Sequence, residues 1–591
     1  MTKWMLKRTN ADVDYIARRA NITTTTAKIL ANRGIKNIVD INRFLNAEEK
    51  DLYSPFLMKD MDKGTDIIKD SILHREKIVI YGDYDADGVT STVIMYKALK
   101  KCGAEVSYHI PDREMEGYGL SKERLGILKE QGFHTVLTCD NGISALEEIK
   151  FAKELGFKVV VTDHHELPFM EDEEKNKKYI IPKADAIINP KQQDCTYPFK
   201  LLCGAGIAFK FAQALFSKME IDEKEAYDYI EIACIGTICD VVDLVDENRI
   251  IAKLGLNTLS NSKNLGINTL LETLEMKNKK ITSHTVGFLI GPCINATGRL
   301  ETAELSVNLL LTEDKNEAIS LSRELVALNK KRQEMTVKCV DEIINNIENS
   351  DMKYDRVLVV YNENVHESIA GIVAGKIREK FNLPTIVIAK GKEMPKGSGR
   401  SIEEYNLFEE LIKCKDLFHK FGGHPMAAGL SIKEENIALL RKKLNENCNL
   451  TEEDIIPKLR LEKQVHLEEI NEKLVDEINR LEPFGKGNTS PLLGERDVLI
   501  NNIQLLGREI KSTLKFQVSS KNHKKVITGI CFGKVEEFQQ MLKDFYNISL
   551  EQALSDNNNI KLDLVYVPFI NVFRDKKYLQ MRVVDFRASR A

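Results

Sequence analysis

The sequence predicts a multidomain α/β protein with a parallel-sheet domain, a helical connector, a smaller α/β domain and a C-terminal β-barrel. Three observations carry this prediction. The chain has 591 residues, which exceeds what one hydrophobic core normally holds. Short apolar runs alternate with amphipathic stretches in two separate regions, which is typical of α/β domains. From residue 456 onward the chain is rich in strand-like segments instead.

The first alternating region begins near residue 77 and predicts a parallel sheet. Its apolar runs lack the alternation of a half-solvated strand, so we expect both faces of each strand to be buried. Amphipathic stretches at 88–101, 121–131 and 144–155 separate the runs and indicate right-handed crossover helices. The predicted strands are Ile78–Ile80, Val106–Ile110, Thr135–Thr138, Val159–Thr162 and Ala186–Ile188.

The middle of the chain predicts helices and then a second α/β region. Residues 200–345 read as mostly helical. Residues 315–349 contain no glycine or proline, so we expect one long helix that connects two lobes. The second alternating region has predicted helices near 367–381 and 403–419, and predicted strands at Val357–Val360, Thr385–Ala389 and Ala427–Leu430.

The C-terminal region predicts a small barrel such as an OB-fold, because five or six strands surround one helix near 534–544. The strand-like segments are 461–467, 497–505, 513–518, 525–532, 561–567 and 579–586. We therefore divide the chain into an N-terminal segment (1–70), the parallel-sheet domain (71–235), a helical region with the connecting helix (236–350), the smaller α/β domain (351–455) and the OB-like domain (456–591).

Composition limits the possible functions. Lys and Arg number 85 and Asp and Glu number 89, so the net charge of −4 argues against binding of nucleic acid by bulk positive charge. The 11 cysteines show no C-x-x-C spacing, so neither a zinc ribbon nor an iron–sulfur cluster is expected. The N-terminus has no signal-peptide core, and no run approaches the roughly 20 apolar residues of a membrane span. We expect a soluble cytoplasmic protein with reduced thiols and no membrane partner.

Acidic and imidazole side chains follow three of the predicted parallel strands. The carboxyl ends of such strands meet at one edge of the sheet, where ligands bind. One such cluster alone would be an ordinary solvated turn, but three together need a cation to offset their repulsion. The residues are Asp83, Asp85 and Asp87 after the first strand, Asp140 after the third, and Asp163, His164 and His165 after the fourth. Asp240 is a further candidate on an apolar segment, and Asp243 competes with it for that role.

The residue types indicate the metal and the reaction. Several carboxylates with one or two imidazoles and no thiol suit Mn²⁺ or Mg²⁺, and the imidazole favours Mn²⁺. Four or more carboxylates exceed what one divalent ion needs, so we expect two ions that share a bridging aspartate. Two metals about 3.5–4 Å apart activate water and stabilise a leaving oxygen. The sequence therefore predicts hydrolysis of a phosphoester or a phosphoanhydride.

These residues also carry a family resemblance. The D-x-D-A-D-G segment, the aspartate at a strand end and the D-H-H triplet resemble, in this order, the DHH phosphoesterase superfamily. Further segments resemble the GPxINAAGRL motif, the second (DHHA1) lobe of that superfamily, and the extension of the RecJ family of single-strand-specific exonucleases. Residues 291–300 resemble the GPxINAAGRL motif. Residues 397–401 and 422–429 resemble the DHHA1 lobe. Residues 481–488 and the β-rich tail resemble the RecJ extension.

The resemblance implies a role for each cluster residue. Asp140 would bridge the two ions, and Asp83 is an additional possible ligand. Asp163 would orient an imidazole, and His165 would contact the scissile phosphate or help protonate the leaving group. The main metal ligands would be Asp85, Asp87, Asp140, His164 and Asp240.

The resemblance also implies residues that bind the substrate phosphate, namely Arg113, Asn295, Arg299, Ser398, Arg400 and His424. Guanidinium groups suit a terminal phosphate, because two parallel N–H bonds can meet two oxygens. A pocket for a terminal phosphate would explain exonuclease action. Two positions depart from the family pattern: Cys293 replaces a usual arginine, and segment 365–370 lacks the common WHxGVIG form.

The C-terminal barrel has a local positive charge that the whole-chain value hides. Basic groups with aromatic residues on a small barrel suit backbone tracking and base stacking on a single strand. The alternative is that the aromatic residues are core and the lysines are solvated. The basic residues are Arg508, Lys511, Lys515, Lys521, Lys524 and Lys525, against the single acid Glu509. The aromatic residues are Phe516, Phe532 and Tyr566.

We therefore expect a 5′-to-3′ exonuclease specific for single-stranded DNA that uses two Mn²⁺ or Mg²⁺ ions and acts in DNA repair and recombination. The polarity and the biological role are implied by the resemblance alone. One alternative is a phosphodiesterase of the same superfamily that acts on short oligonucleotides, cyclic dinucleotides or pyrophosphate. Another is a non-catalytic DNA-binding scaffold. A monomer is expected, with single-strand-binding protein and a RecQ-type helicase as possible partners.

Overall fold

The computed structural model describes residues 2–113, 115–117, 119–171, 177–507, 512–520, 525–555 and 560–589. They form two compact units. The first unit contains residues 53–242 and 251–457. The second contains residues 2–52, 243–250 and the chain from 458 onward. The helix Asp246–Leu259 begins in the second unit and ends in the first.

The first unit contains the predicted parallel sheet, whose strands differ from the expected bounds by at most one residue. All neighbouring strands pair in parallel. The order across the sheet is Val106–His109, Ile78–Tyr81, Thr135–Cys139, Lys158–Thr162 and Ala186–Ile188. The helices of this region are Met61–Leu73, Ala86–Lys101, Lys122–Glu130, Leu146–Glu154, Gly204–Lys218 and Ile230–Cys239. A small hairpin pairs Phe169–Glu171 with Lys177–Tyr179.

The helical region and its long connecting helix are also confirmed. The connector Lys315–Glu348 is 34 residues long, and the side chain of Asp314 caps its first turn by accepting from Glu317 N. A turn of π-helix at Val286–Ile290 leads directly into the helix that carries Asn295 and Arg299, two of the predicted phosphate ligands. The helices before the connector are Leu265–Thr273, Ser283–Thr285, Gly291–Leu300 and Glu304–Leu311.

A second sheet follows in the first unit, and here one prediction is wrong. Residues 403–419 were expected to form a helix, but only Leu407–Ile412 forms an α-helix, and Phe418 begins a strand. The strand order is Phe418–His424, Ala427–Ile432, Lys396–Arg400, Thr385–Ala389 and Leu358–Tyr361. Only the last two strands pair in parallel. The other helices are Ala370–Phe381 and Ile437–Glu446.

The second unit combines N-terminal helices with the predicted barrel. The helices Val13–Ala20, Thr24–Asn32 and Ile38–Asn46 pack into one hydrophobic core. Lys3–Leu6 pairs in parallel with Lys458–Leu461. The barrel strands, in sheet order, are Lys463–Gln464, Leu493–Leu506, Thr513–Ser519, Val526–Phe532, Lys576–Ala588 and Ile560–Phe573. Leu493–Leu506 also pairs with Ile560–Phe573, which partly closes the sheet. Helices Glu472–Arg480, Val535–Met541 and Leu550–Ser555 complete the unit.

Two of the three barrel aromatics cannot stack on bases, so that prediction is wrong for them. Phe516 and Tyr566 are fully buried in the barrel core, and the Tyr566 hydroxyl donates to Val465 O at 2.9 Å. Phe532 is 62% exposed and remains available. Most of the predicted basic residues lie outside the described part of the chain, as does their one acidic neighbour: Arg508, Glu509, Lys511, Lys521 and Lys524.

Within the described residues, no helix combines the length and the apolar character that crossing a lipid bilayer requires.

Candidate active site

The turn from Asp83 to Gly88 presents carboxylates at the start of a helix. Asp85 is the N-cap, and its Oδ1 accepts from the backbone N–H groups of Asp87 at 2.9 Å and Gly88 at 3.0 Å. Aspartate is favoured at this position because it satisfies N–H groups that have no partner within the helix. A Cβ at Gly88 would lie 2.5 Å from the carbonyl oxygen of Asp83, so the turn requires glycine.

A second helix end fixes the carboxylate of Asp87. Its Oδ2 accepts from Gly204 N at 2.6 Å and its Oδ1 accepts from Ala205 N at 2.8 Å. These two residues begin the helix Gly204–Lys218, whose N-terminal dipole favours a negative charge. Asp87 therefore stays in place although it is completely buried.

Asp140 lies where the third sheet strand in chain order ends and adopts a left-handed backbone conformation with φ 62°. Its N–H donates to Thr162 O at 3.1 Å, which ties it to the neighbouring strand. The side-chain amide of the next residue, Asn141, donates to the carbonyl oxygens of Tyr81 and Gly82 at 3.1 and 2.9 Å. Two strand ends are thus held together, with the Asp140 carboxylate buried between them.

The D-H-H triplet places its two imidazoles in different environments. Asp163 is buried, and its Oδ1 lies 2.7 Å from His165 Nδ1 while its Oδ2 accepts from Ile143 N at 2.8 Å. The aspartate therefore orients His165 directly. His164 Nε2 lies 3.0 Å from Asp140 Oδ1.

Asp240 joins the cluster from the end of the helix Ile230–Cys239. Its Oδ2 lies 3.7 Å from His164 Nε2. The next residue, Val241, has φ 57°, which is a strained conformation for a β-branched residue and is typical of functional sites. The competing candidate Asp243 pairs with Lys486 of the second unit instead, at 3.7 Å.

Among the described residues, the predicted ligands together with His165 form three overlapping groups, and within each group all ligand atoms lie within 4.8 Å of one another. The groups are Asp83 with Asp85 and Asp140, Asp87 with His164 and Asp240, and Asp140 with His164 and His165. Asp140 and His164 each belong to two groups, an arrangement that supports a bridging position for Asp140.

Burial and mutual repulsion perturb the charges of this cluster. Burial, followed by the charge of Asp85, raises the pKa of Asp87 to about 6. Burial and then the charge of Asp87 raise the pKa of Asp140 well above its usual range and that of Asp240 to about 8. Burial lowers the pKa of His164 to about 3, so its imidazole is neutral, as a metal ligand must be.

His165 shows the opposite shift. Burial opposes its charged form, but the hydrogen bond and the charge of Asp163 outweigh burial and raise the pKa of His165 to about 9. A protonated imidazole at neutral pH can donate to a phosphate oxygen or to a departing alkoxide.

The cluster fits divalent cations. Within the described part of the chain, the buried Oδ1 of Asp83 has no hydrogen-bond partner, which is costly unless something else meets it. Carboxylate oxygens and a neutral imidazole are the ligand set of Mn²⁺ or Mg²⁺, and cations would remove the repulsion that raises the carboxylate pKa values.

A large cavity in the first unit lies beside this cluster. Its volume is about 1010 Å³. Its lining residues include five cationic side chains and one carboxylate, that of Glu367, so the cavity suits an anion. The cations are Arg113, Arg299, Lys396, Arg400 and Lys420.

Tyr84 connects the cavity to the acidic cluster. It lines the cavity and is flanked in the chain by two of the predicted metal ligands, Asp83 and Asp85. The Arg113 guanidinium lies 5.1 Å from the centre of the Tyr84 ring. The Arg299 guanidinium donates to the carbonyl oxygen of Ser368, and burial lowers its pKa to about 10, at which it remains charged.

Ser398 and Arg400 line the cavity from the strand Lys396–Arg400. The Arg400 guanidinium donates to Ser398 Oγ at 3.2 Å and to Gly399 O at 2.7 Å. A Cβ at Gly371 would lie 2.7 Å from Arg400 Nη2 and 2.8 Å from Ser398 Oγ. This glycine, in the first turn of the helix Ala370–Phe381, keeps the space above both side chains open.

Two predicted phosphate ligands lie outside the set of residues that line the cavity. Asn295 Oδ1 accepts from Ala86 N at 2.9 Å and so supports the helix start beside the cluster. His424 is exposed, and strand pairing aligns it with Ala427, which in turn is aligned with Arg400. Their contact with phosphate stays a prediction.

The two departures from the family pattern differ in position. Cys293 is fully buried, and its Sγ accepts from Asn329 Nδ2 of the connecting helix at 3.6 Å. It belongs to the packing of helices and does not line the cavity. Ser368 does line the cavity and supplies the carbonyl oxygen that Arg299 binds.

Sequence reasoning missed several residues of the site. Tyr84 lies inside the D-x-D-A-D-G segment, and Gly371 directly follows segment 365–370, so both lie at motifs that carry the family resemblance. Lys420 had no such signal. Gly204 lies 117 residues from the aspartate that it binds, and only the fold brings the two together.

We expect Gly204→Ala to reduce hydrolysis by about 10²-fold. The new Cβ would lie 2.7 Å from Asp140 Cβ and 2.8 Å from Asp140 Oδ1, so a ligand carboxylate would have to move. Gly206→Ala, in the same helix, is the matched control, because its Cβ would meet only the side chain of Leu202, at 3.2 Å or more. Steady-state rates and melting temperatures of both variants test this, and equal rates would contradict the assigned position of Asp140.

Family models match three parts of the chain. Residues 77–237 match the N-terminal domain of the DHH family, residues 355–450 match the DHHA1 domain, and residues 461–585 match the RecJ OB domain.

Whole-chain comparisons agree with these matches. The chain is 40% identical to the single-stranded-DNA-specific exonuclease RecJ of Bacillus subtilis, across 100% of this chain and 72% of that protein. Its fold matches the crystal structure of RecJ with Mn²⁺ from Thermus thermophilus, with a TM-score of 0.81 and 24% identity over 100% of this chain and 80% of that one. A structure of exonuclease RecJ bound to manganese has 30% identity and a TM-score of 0.57 over 68% of this chain and 96% of that one. This chain belongs to the RecJ family.

Proposed function

We propose that this protein is an exonuclease that removes 5′-mononucleotides one at a time from the 5′ end of single-stranded DNA, in DNA repair and recombination. One observation carries the chemistry: an acidic and imidazole cluster contacts a cation-lined cavity through Tyr84. The relatives named as single-stranded-DNA-specific exonucleases support the substrate.

The cluster would hold two divalent cations, Mn²⁺ or Mg²⁺. The proposed ligands are Asp83, Asp85, Asp87, Asp140, His164 and Asp240. When bound, such ions lower the pKa of water and stabilise the departing oxygen in phosphoryl hydrolysis. The shared membership of Asp140 in two of the three ligand groups supports its role as the bridging residue.

The chain's own residues would orient the substrate and move the proton. His165, held by Asp163 at 2.7 Å, would donate a proton to the leaving 3′ oxygen or hold a scissile phosphate oxygen. The buried start of the helix Gly204–Lys218 would keep Asp87 deprotonated and fixed in position.

The cavity would bind the terminal 5′-phosphate. Arg113, Arg299, Ser398 and Arg400 line it and supply N–H and O–H donors for the phosphate oxygens. Asn295 and His424 are proposed as further phosphate contacts. A charged end that must occupy this cavity before hydrolysis explains both the terminal attack and the 5′-to-3′ direction.

Digestion of long strands labelled at either end tests the proposal. We expect a 5′ label to leave first as a mononucleotide, Mn²⁺ to support the reaction, and a chelator to abolish it. A blunt duplex of the same sequence is the control and should resist digestion. Early release of a 3′ label would overturn the polarity, and hydrolysis confined to strands of a few nucleotides would favour a small-substrate phosphodiesterase.

The partners and the cellular location are proposed on the family resemblance. We propose a cytoplasmic monomer that acts with single-strand-binding protein and a RecQ-type helicase. We also propose the division into five segments at residues 70, 235, 350 and 455. Light scattering tests the monomer, and limited proteolysis tests the boundaries.

A further inference from the structure

A cavity in the second unit lies between its N-terminal helices and the start of the helix Asp246–Leu259. Its volume is about 390 Å³. Two aspartates line it, but one of them is already paired, because Asp246 Oδ1 accepts from Arg43 Nη2 at 2.9 Å. Three arginines also line it, namely Arg33, Arg43 and Arg249, and we call it the arginine cavity. Among the described residues, it shares no lining residue with the cavity beside the acidic cluster.

Arg249 is a buried cation that carbonyl oxygens hold in place. It is 1% exposed, and its guanidinium centre lies 3.9 Å from the centre of the Phe44 ring. Its Nε donates to Phe44 O at 3.1 Å, its Nη1 to Leu481 O at 2.8 Å and its Nη2 to Arg480 O at 3.1 Å. These bonds use three of the five N–H donors of the group. They fix the guanidinium, but they do not neutralise its charge.

Arg33 has the same kind of environment. Its Nη1 donates to Asn488 Oδ1, and its Nη2 donates to Thr489 O at 2.7 Å. Within the part of the chain that the structure describes, neither Arg33 nor Arg249 forms an ion pair with a carboxylate. The arginine cavity is therefore lined by two guanidinium groups whose charges no direct partner offsets.

The charges of these two arginines are perturbed in the direction that burial dictates. Burial lowers the pKa of Arg33 to about 10, although the charge of Glu462 opposes this shift. Burial, followed by the charge of Arg33, lowers the pKa of Arg249 to about 9, although the charge of Glu482 opposes it. Glu462 is itself paired with Lys7 at 2.8 Å. A buried charge without a partner is costly, so an anion in the cavity would stabilise both arginines.

The rest of the lining indicates what kind of anion fits. Guanidinium groups suit phosphate, because their N–H donors can meet two phosphate oxygens in parallel. The cavity is larger than a bare phosphate needs, and apolar side chains form much of its remaining wall. These side chains belong to Ile35, Phe44, Ala47, Val245 and Ile250. A phosphate monoester that carries a flat, largely apolar group would therefore fill the cavity, and a 5′-mononucleotide has both parts.

We propose that the arginine cavity binds a 5′-mononucleotide, with its phosphate on Arg33, Arg43 and Arg249 and its nucleoside against the apolar wall. This inference rests on the proposed function for the source of the ligand, because such an exonuclease would release 5′-mononucleotides. The cavity takes no part in hydrolysis. It is a second site, separate from the acidic cluster, at which the reaction product binds the second unit.

Calorimetric titration of the full chain with dAMP, in chelator so that no hydrolysis occurs, tests this proposal. The cavity beside the acidic cluster also suits a phosphate, so every variant is made together with Arg400→Gln. In this background we expect one dAMP to bind per chain. Arg43→Gln should weaken that binding about 10- to 100-fold, because a charge-assisted hydrogen bond to phosphate is lost.

Arg19→Gln is the matched control for this variant. Arg19 is an exposed arginine in the helix Val13–Ala20 of the same unit, and it does not line the cavity. Its variant should bind dAMP as the parent does. Since 28% of the Arg43 side chain is exposed, we expect equal melting temperatures for the two variants.

Removal of a negative charge should have the opposite effect. Asp40 lines the cavity and is exposed, and Asp40→Asn should tighten the binding of dAMP about 2- to 5-fold. Asp14→Asn is its control, because Asp14 is also exposed and also lies in the first turn of a helix of the second unit, yet it does not line the cavity.

Two results would overturn the proposal. One is equal affinity of Arg43→Gln and Arg19→Gln for dAMP. The other is binding of inorganic phosphate as tight as that of dAMP, which would remove the nucleoside from the proposed ligand. Failure of the proposed function would be seen separately, as no hydrolysis of single-stranded DNA by the wild type.

Discussion

Asp140→Asn is expected to reduce the rate of hydrolysis by about 10³-fold or more, while the fold stays intact. Asp140 lies in two of the three ligand groups, so its loss would disturb both proposed metal positions. Asparagine has the size of aspartate and tolerates the φ of 62° at this position. Alanine does not tolerate it as well, so Asp140→Ala would confuse lost activity with backbone strain.

The stability of this variant separates a catalytic role from a structural one. Without metal, burial and then the charge of Asp87 disfavour the ionised carboxylates of Asp140 and Asp240 and raise their pKa values. Removal of one charge should therefore leave the melting temperature of the metal-free protein unchanged or raise it. Mn²⁺ should raise the melting temperature of the wild type more than that of the variant, since a ligand that binds the folded state stabilises it.

Asp497→Asn is the matched control for this experiment. Asp497 also has positive φ, at 56°, and it lies in the second unit. Its variant should retain the rate and the Mn²⁺-dependent stabilisation of the wild type. Full activity in Asp140→Asn, or an equal response of both variants to Mn²⁺, would refute the assignment of the metal ligands.

The parallel sheet and the cluster at its edge were predictable because the local signals agree. Each strand is a short apolar run that ends at a polar residue, and parallel strand ends must meet. The ligand residues Asp83, Asp85, Asp140 and His164 follow from that rule alone. Only the family resemblance favoured Asp240 over Asp243 as a ligand. The structure supports this choice, because Asp243 pairs with Lys486.

The second lobe was less predictable because tertiary pairing outweighs propensity there. The strand Lys396–Arg400 has the sequence KGSGR, which contains no β-branched or aromatic residue. It forms a strand because both of its edges are paired, with Thr385–Ala389 and with Ala427–Ile432. The strand Phe418–His424 contains two glycines, and its first two residues fall at the end of the predicted helix 403–419.

Side-chain direction in the barrel was equally inaccessible from sequence. Phe516 and Phe532 lie on neighbouring strands, yet one is buried and the other is 62% exposed. A shift of one residue in strand register exchanges the two faces, so a sequence without its pairing cannot assign them. The exposed Phe573 and Tyr578, on the paired strands Ile560–Phe573 and Lys576–Ala588, follow from register in the same way.

Arg400→Gln is expected to lower kcat/KM on 5′-phosphorylated strands by about 10²-fold, because it removes a guanidinium that would bind the terminal phosphate. Strands with a 5′-hydroxyl end lack that partner, so their slower hydrolysis should change little. The measurement is the ratio of the rate on 5′-phosphorylated strands to the rate on 5′-hydroxyl strands. This ratio should be much smaller in the variant than in the wild type. Lys433→Gln removes one charge from an exposed position of the same lobe and should preserve the ratio.

Gly371→Ala should produce the same loss of discrimination without removing any charge. The added Cβ would lie within 3 Å of both Arg400 Nη2 and Ser398 Oγ, and so would occupy the space above them where a phosphate would bind. Alanine is a better helix former than glycine by about 1 kcal/mol, so the melting temperature should stay constant or rise. A protein that is at least as stable but no longer distinguishes 5′-phosphate from 5′-hydroxyl ends can only have lost the phosphate site. If Gly371→Ala retains the wild-type ratio, the terminal phosphate binds elsewhere and this cavity does not set the polarity of the enzyme.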